Sequence, residues 1–198
     1  MIVPSAPQNR LRRPDDPRAL KSRRALRDAL LALLEKRTFE QITIKEITSA
    51  AGVSYPVFFR QFASKEELLN DLAASEVGGL LALTHPIVDE AVAMNNLREM
   101  CNYVQQRRPL WKSLLTTGAA STMRSEFARI SAEIAKAGPQ ANPWLPVELA
   151  SSFVATGIFE ILAWWLNQPE DYPVGNIVKI LHALIARPLS LPQNVQLD

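Results

Sequence analysis

The stretch from Thr43 to Glu67 constrains the fold most, because helix starts and stops follow one another closely within it. Thr43-Ile44-Lys45-Glu46 is a capping box, in which the Thr43 hydroxyl and Glu46 carboxylate satisfy the first amides of a helix. Ile44, Ile47 and Ala51 give that short helix its buried face. Gly52 ends it, since glycine tolerates the left-handed conformation beyond a helix end. Ser54 then caps a further short helix, with Pro56 in its first turn, reaching about Phe62. Ser64-Lys65-Glu66-Glu67 reads as a second capping box and opens a longer helix through Leu68, Leu69 and Leu72 to about Leu83.

Upstream, Asp16-Pro17 supplies a cap and a first-turn proline for a helix ending near Arg37. Leu26, Leu30, Leu33 and Leu34 line one face of it, leaving Arg23, Arg24 and Arg27 for solvent or a polyanion. Residues 1–15, with Pro4, Pro7, Pro14, Arg10, Arg12 and Arg13, read as a flexible basic arm. Beyond His85-Pro86 every strong signal is helical. Ala91, Met94, Leu97, Cys101 and Val104 mark one helix, and Pro109 opens a short one with Trp111 and Leu114. Ala120, Met123, Phe127, Ile130 and Ile134 recur at three and four. A loop with Gly138, Pro139, Pro143 and Pro146 precedes two last helices, about 147–167 and 174–187. Without strand alternation, the expectation is an all-α fold of about nine helices. Its expected parts are an arm (1–15), a helix-turn-helix domain (16–63), a connecting helix (64–84) and a helical body (85–198).

Charge divides along the same line. Residues 1–65 carry thirteen Lys/Arg against six Asp/Glu, whereas 66–198 carry nine against fourteen, although the net is only +2. A basic head on a mildly acidic body fits nucleic-acid binding. A lone cysteine, Cys101, excludes an internal disulfide framework, and with only His85 and His182 no metal cluster is visible. No cofactor loop and no nucleophile beside paired carboxylates is present, so neither an enzyme nor a cofactor is expected. The N-terminus has no apolar signal core. The most apolar stretch, Phe153 to Leu166, is broken by Thr156, Gly157 and Glu160 and is too short for a bilayer. A cytoplasmic protein without a membrane partner is therefore expected.

Two short helices separated by Gly52-Val53-Ser54 and packed on a longer first one make a helix-turn-helix. Such a unit presents the start of its second helix to the major groove of double-stranded DNA. On that helix Phe58 and Phe62 should face the core with Val53, leaving Tyr55, Pro56, Val57, Phe59, Arg60 and Gln61 outward. Exposed aromatics on so small a helix suit a ligand-facing surface, although pattern alone also admits a core hairpin that binds nothing.

The run Ile42-Thr43-Ile44-Lys45-Glu46-Ile47 through Ala51-Gly52-Val53-Ser54, then Phe58-Phe59-Arg60-Gln61-Phe62 and Ser64-Lys65-Glu66-Glu67-Leu68-Leu69, resembles the DNA-binding signature of the TetR family. Ala29 to Lys36 and Phe39-Glu40 fit that family's first helix, so the resemblance covers about residues 24–72. It implies that Thr43 contacts a phosphate and that Lys45 reaches a base edge or phosphate. It implies that Ser54, Tyr55, Pro56 and Val57 open the recognition helix towards the bases, Pro56 and Val57 offering apolar surface to thymine methyls. Gln61 and Lys65 would hold phosphates, Lys65 aided by its own helix terminus. Phe59 departs from the tyrosine usual in the family and cannot donate a hydroxyl to phosphate, and Val57 replaces a frequent threonine. Both losses shift the grip towards Lys/Arg.

The helix from Val147 to Asn167 is apolar nearly all round, which marks burial on both faces. One face, with Phe153 and Ile161, can pack on the core. The other, with Val154, Ile158, Leu162 and Trp165, needs a partner, which Val174, Ile177, Leu181 and Leu184 of the next helix could supply. The resemblance implies that these helices join two copies of the chain across a homodimer axis; a purely intramolecular core is the alternative. It also implies a small-molecule pocket, for which Met100, Trp111, Met123, Phe127, Trp144 and Phe153 are candidates, each equally readable as ordinary core. Glu160 could answer a cationic ligand, bond across the dimer or face water. Cys101, on an apolar stripe, reads as inert core. The function so implied is a transcription regulator, a repressor released from an inverted-repeat operator by a mainly apolar ligand. The alternative is a DNA-binding protein of the same fold without an inducer.

Overall fold

The computed structural model describes residues 17–83, 89–138, 142–190 and 195. The basic arm, Asp16, His85-Pro86 and Pro139 lie outside the described residues. Among the described residues the protein is all-α, without strands. The helices are α1 (Pro17–Leu34), α2 (Ile44–Ala50), α3 (Tyr55–Gln61), α4 (Lys65–Leu81), α5 (Glu90–Gln106), α6 (Arg108–Thr116), α7 (Ala119–Lys136), α8 (Val147–Leu166) and α9 (Val174–Leu181). A 3-10 turn (Phe39–Gln41) precedes α2. After α9 the chain continues through a π-helical turn (His182–Ala186) into a last α turn (Arg187–Ser190).

The local stops work through identifiable bonds. Thr43 Oγ1 accepts from Glu46 N at 3.3 Å, and Glu46 Oε2 accepts from Thr43 N at 2.9 Å, closing the capping box. Gly52 has φ +63°, the left-handed region, and lets Gly52 N reach Ser49 O at 3.2 Å and Val53 N reach Thr48 O at 3.0 Å. This pair of bonds turns the chain sharply from α2 into α3. At α4, Ser64 Oγ accepts from Glu67 N at 3.1 Å as expected, but the Glu67 carboxylate accepts from Ala63 N, not from Ser64 N. Ser54 stands at the N-cap of α3 without a side-chain capping bond.

α1, α2 and α3 pack on one another, and α1 packs on α4; α4 and α8 both pack on α7, and α5 packs on α9. One hydrophobic core runs continuously from Leu26 of α1 to Ile185 of the π turn, so α4 belongs to head and body at once. Its burial is the main stabilising term.

Two expectations about α8 need correction. At twenty residues it is long and apolar enough, by composition, to cross a membrane. Seven of its residues, Trp165 and Phe159 among them, are instead buried inside the chain. The face expected to meet a partner is turned into the chain's own core instead. Ile158, Leu162, Trp165, Ile177 and Leu181 are at most 5% exposed within the single chain, and Val154 is half-buried. The outward apolar residues are Leu149, Phe153, Trp164 and Leu184, so of the expected interface only Leu184 is fully outward. With apolar residues on every side, the pattern left the choice of face to tertiary packing.

Candidate nucleic-acid interface and sensor core

On α3, Phe58 and Phe62 are buried, whereas Tyr55 and Phe59 are 52% and 46% exposed. The two outward rings meet edge-on at 5.2 Å, and Phe59 also rests edge-on against Phe58 at 5.3 Å. Phe59 is thus held by its neighbours while presenting apolar surface. Pro56 and Arg60 are exposed, and Val57 and Gln61 are half-buried. Beside them Thr43 and Lys45 are exposed at the start of α2. In the same turn Glu46 accepts from Arg37 Nη1 at 2.8 Å. That bond, with the Thr43 amide and hydroxyl, pulls the Glu46 pKa down to about 2. Next to the surface carrying Tyr55, Pro56, Phe59, Arg60, Thr43 and Lys45, the Glu46 carboxylate is therefore paired with a cation.

Several cations expected outward turn inward. Arg23 Nη2 lies 2.6 Å from Asp71 Oδ1, and Arg27 Nε lies 3.3 Å from Asp71 Oδ2. Arg23 also lies 4.9 Å from the Phe62 ring centre, joining α1, α3 and α4. Arg24 stays exposed, loosely paired with Asp28 at 3.8 Å. Lys65 is not directed at solvent: its Nζ donates to Phe39 O and to Ile42 O, each at 2.8 Å, and sits 4.2 Å from the Phe39 ring centre. The lysine holds the 3-10 turn and the approach to Thr43 against the first turn of α4.

The six pocket candidates do not share a cavity. Met100, Trp111, Met123 and Phe127 are at most 5% exposed and lie in the core, where Phe159 stacks on Trp111 at 6.5 Å and meets Phe127 edge-on at 5.4 Å. Trp144 and Phe153 instead line a surface groove of about 330 Å³ with Leu149 and Leu189. A second groove, about 410 Å³, separates Phe39, Lys65 and Leu69 from the Thr117–Ala119 turn. Thr122 Oγ1 donates to Asn70 Oδ1 at 3.0 Å and joins α7 to α4. Glu160 bonds to Arg124 at 3.2 Å, across from α8 to α7. Cys101 is fully buried, and burial alone pushes its thiol up to about 12.

The residues that sequence reasoning missed are Glu76, Tyr103 and Arg107. Tyr103 Oη donates to Glu76 Oε2 at 2.9 Å, and the Arg107 guanidinium covers the Tyr103 ring at 4.3 Å. Glu76 is only 8% exposed. A charged residue among the apolar positions of α4 was the available signal, since buried carboxylates need partners.

A compact helix-turn-helix head, fused through a shared helix to an all-helical body, defines a DNA-binding regulator fold. Residues 26–72 match the family described as bacterial regulatory proteins, tetR family, and the described residues have the fold of solved TetR transcriptional regulators. A TetR transcriptional regulator from Streptococcus agalactiae 2603V is 20% identical with TM-score 0.60, covering 85% of this chain and 95% of that one. The TetR family repressor AlkX from Dietzia sp., implicated in biodegradation of n-alkanes, is 19% identical with TM-score 0.62, covering 83% and 96%. RolR, solved in complex with resorcinol, is 15% identical with TM-score 0.65, covering 88% and 90%. No curated protein sequence matches the chain.

Proposed function

We propose that the protein is a ligand-responsive transcription regulator, a repressor that binds an inverted-repeat operator as a homodimer and leaves it when a small, mainly apolar molecule binds the body. The observation that carries the DNA reading is α3 itself. It exposes Tyr55, Pro56 and Phe59 at its surface, and the Glu46 carboxylate of the neighbouring α2 is paired with Arg37. Apolar and aromatic groups at the start of a recognition helix suit thymine methyls, while Thr43, Lys45, Ser54 and Gln61 can position phosphates. Two-fold symmetry of the dimer would place half-sites about one helical turn apart. Support for a small ligand comes from RolR with its resorcinol and from the aromatic core around Trp111, Phe127 and Phe159.

Packing of Met100, Trp111, Met123 and Phe127 into that core favours a second reading, a regulator of the same fold without an inducer. Genome-wide mapping of bound sites, followed by binding to the recovered sequences in rising salt, tests both. Palindromic sites with a steep salt dependence are expected. Binding indifferent to sequence would sink the operator model, and operator occupancy unmoved by any metabolite of the neighbouring genes would favour the second reading.

A further inference from the structure

A groove follows the seam between head and body. The 3-10 turn and the first turns of α4 form one side of it, through Phe39, Glu40, Lys65, Glu66 and Leu69. The turn between α6 and α7, Thr117 to Ala119, forms the other. Its volume of about 410 Å³ lies in the range of small-molecule sites. Phe39, Leu69 and Ala119 are buried and give it an apolar floor. Thr122 Oγ1 donates to Asn70 Oδ1 at 3.0 Å and fixes the spacing of α7 from α4 where Asn70 lines the groove.

The lining is charged unequally. Glu40 and Glu66 are exposed, and among the described residues neither has an ion pair or a hydrogen bond. Lys65 is the one cation of the lining, and its charge is already shared by the carbonyls of Phe39 and Ile42 and by the Phe39 ring. The start of α7, which has no side-chain cap, adds about half a positive charge, and the start of α4 has Glu67 against it. Two full negative charges therefore outweigh what opposes them, and they stand beside an apolar floor.

We propose that this groove binds a small organic cation, an ammonium group on an apolar body, and that its occupant tightens the grip on DNA. The ammonium pairs with Glu40 and Glu66, and the body of the molecule covers Leu69 and Ala119. Glu40 stands three residues before Thr43, at most about 11 Å along the chain and close to the screening length of about 10 Å in ordinary buffers. Neutralising it removes a repulsion from phosphate near Thr43. The occupant also touches the Phe39–Glu40 turn of the head and the Thr117–Ala119 turn of the body directly, so it holds the two together. The inference rests on the DNA-binding part of the reading above and not on release by an inducer.

Operator binding is measured first without additive, so a failure of the regulator reading appears before the groove is tested. The full-length protein, with and without operator, is then titrated by calorimetry at constant ionic strength with 2-phenylethylamine, 2-phenylethanol and phenylacetate. The amine is expected to bind at least about tenfold tighter than the neutral and anionic probes and to raise operator affinity at least about fivefold, the lower end of a typical coupling. Glu40→Gln/Glu66→Gln should lose that preference. Gly118→Phe should lose amine binding and keep its helicity, because Gly118 has φ −59° and a Cβ there meets nothing within 4 Å. Absence of amine binding, equal or tighter binding of phenylethanol or phenylacetate, or a preference that survives Glu40→Gln/Glu66→Gln overturns the proposal. So does amine binding that leaves operator affinity unchanged or lowers it.

Discussion

Arg108 closes the end of α8 by donating from Nη2 to Trp165 O at 3.0 Å and to Gln168 O at 2.7 Å. Its Nη1 donates to Gln105, and the guanidinium lies 5.6 Å from the Trp165 ring centre. Among the described residues no carboxylate forms an ion pair with this buried charge. The last carbonyls of a helix carry partial negative charge, so the carbonyl end of α8 stabilises the cation in place of an acid.

Removing the guanidinium should therefore cost stability without touching DNA contacts. Arg108→Ala is expected to lose about 2–4 kcal/mol, from charge-assisted bonds and from carbonyls left unpaired. Lysine should restore only part, because one ammonium cannot reproduce the forked geometry. Denaturant unfolding measures the loss. A variant within about 0.5 kcal/mol of wild type, the range of ordinary surface substitutions, would show the carbonyls to be solvated.

Lys65 gives a sharper test of the head. Two of its three ammonium donors go to the carbonyls of Phe39 and Ile42, which would let it act by positioning Thr43 instead of by holding phosphate. Lys65→Ala should lower thermal stability and weaken operator binding, with the slope of log affinity against log salt unchanged. A direct phosphate contact would instead flatten that slope by about 0.9.

Acid should open the head by a defined route. Glu46 has a pKa of about 2, held down by Arg37 and then by Thr43, against an ordinary value of 4.5. A carboxylate depressed in the folded state stabilises it fully above the unfolded value, and that contribution fades as pH falls from 4.5 towards 2. Glu46→Gln should be less stable than wild type at neutral pH, and the difference should shrink across that window. Melting curves at stepped pH provide the measurement; a constant difference would mean that the carboxylate charge contributes nothing.

How far the sequence reaches differs between the head and the body. Thr43, Glu46, Gly52 and Pro56 act on residues within a turn of themselves, so α2 and α3 could be read directly, as could the buried pair Phe58 and Phe62. The anchoring of Lys65 was not legible because its acceptors lie 26 and 23 residues away. Arg23 was misread for the same reason, since Asp71 is 48 residues distant. In α8 periodicity carried no orientation at all, because both faces are apolar. The contacts around Tyr103 join α4, α5 and the start of α6, and only tertiary packing brings Glu76, Tyr103 and Arg107 together.

The corrected faces of α8 change what a dimerisation test must mutate. Leu149, Phe153 and Trp164 form an outward ridge on α8, and Leu184 stands outward just beyond α9; all four are 48–60% exposed. Their burial against a second copy would stabilise the pair by roughly 1.5–3 kcal/mol for each large side chain fully covered. Phe153→Glu or Trp164→Glu should therefore raise the dimer dissociation constant at least about tenfold, the equivalent of 1.4 kcal/mol. Helicity should stay intact, since neither side chain fills the core. Ile158→Glu, placing a charge at a position 5% exposed, should instead unfold the protein at any concentration. Sedimentation and circular dichroism on the same samples separate these outcomes. Operator affinity should fall with dimer content in the ridge variants, because one recognition helix reads only a half-site. A folded Phe153→Glu/Trp164→Glu double variant that remains fully dimeric at low micromolar concentration would place the interface on another face of the body.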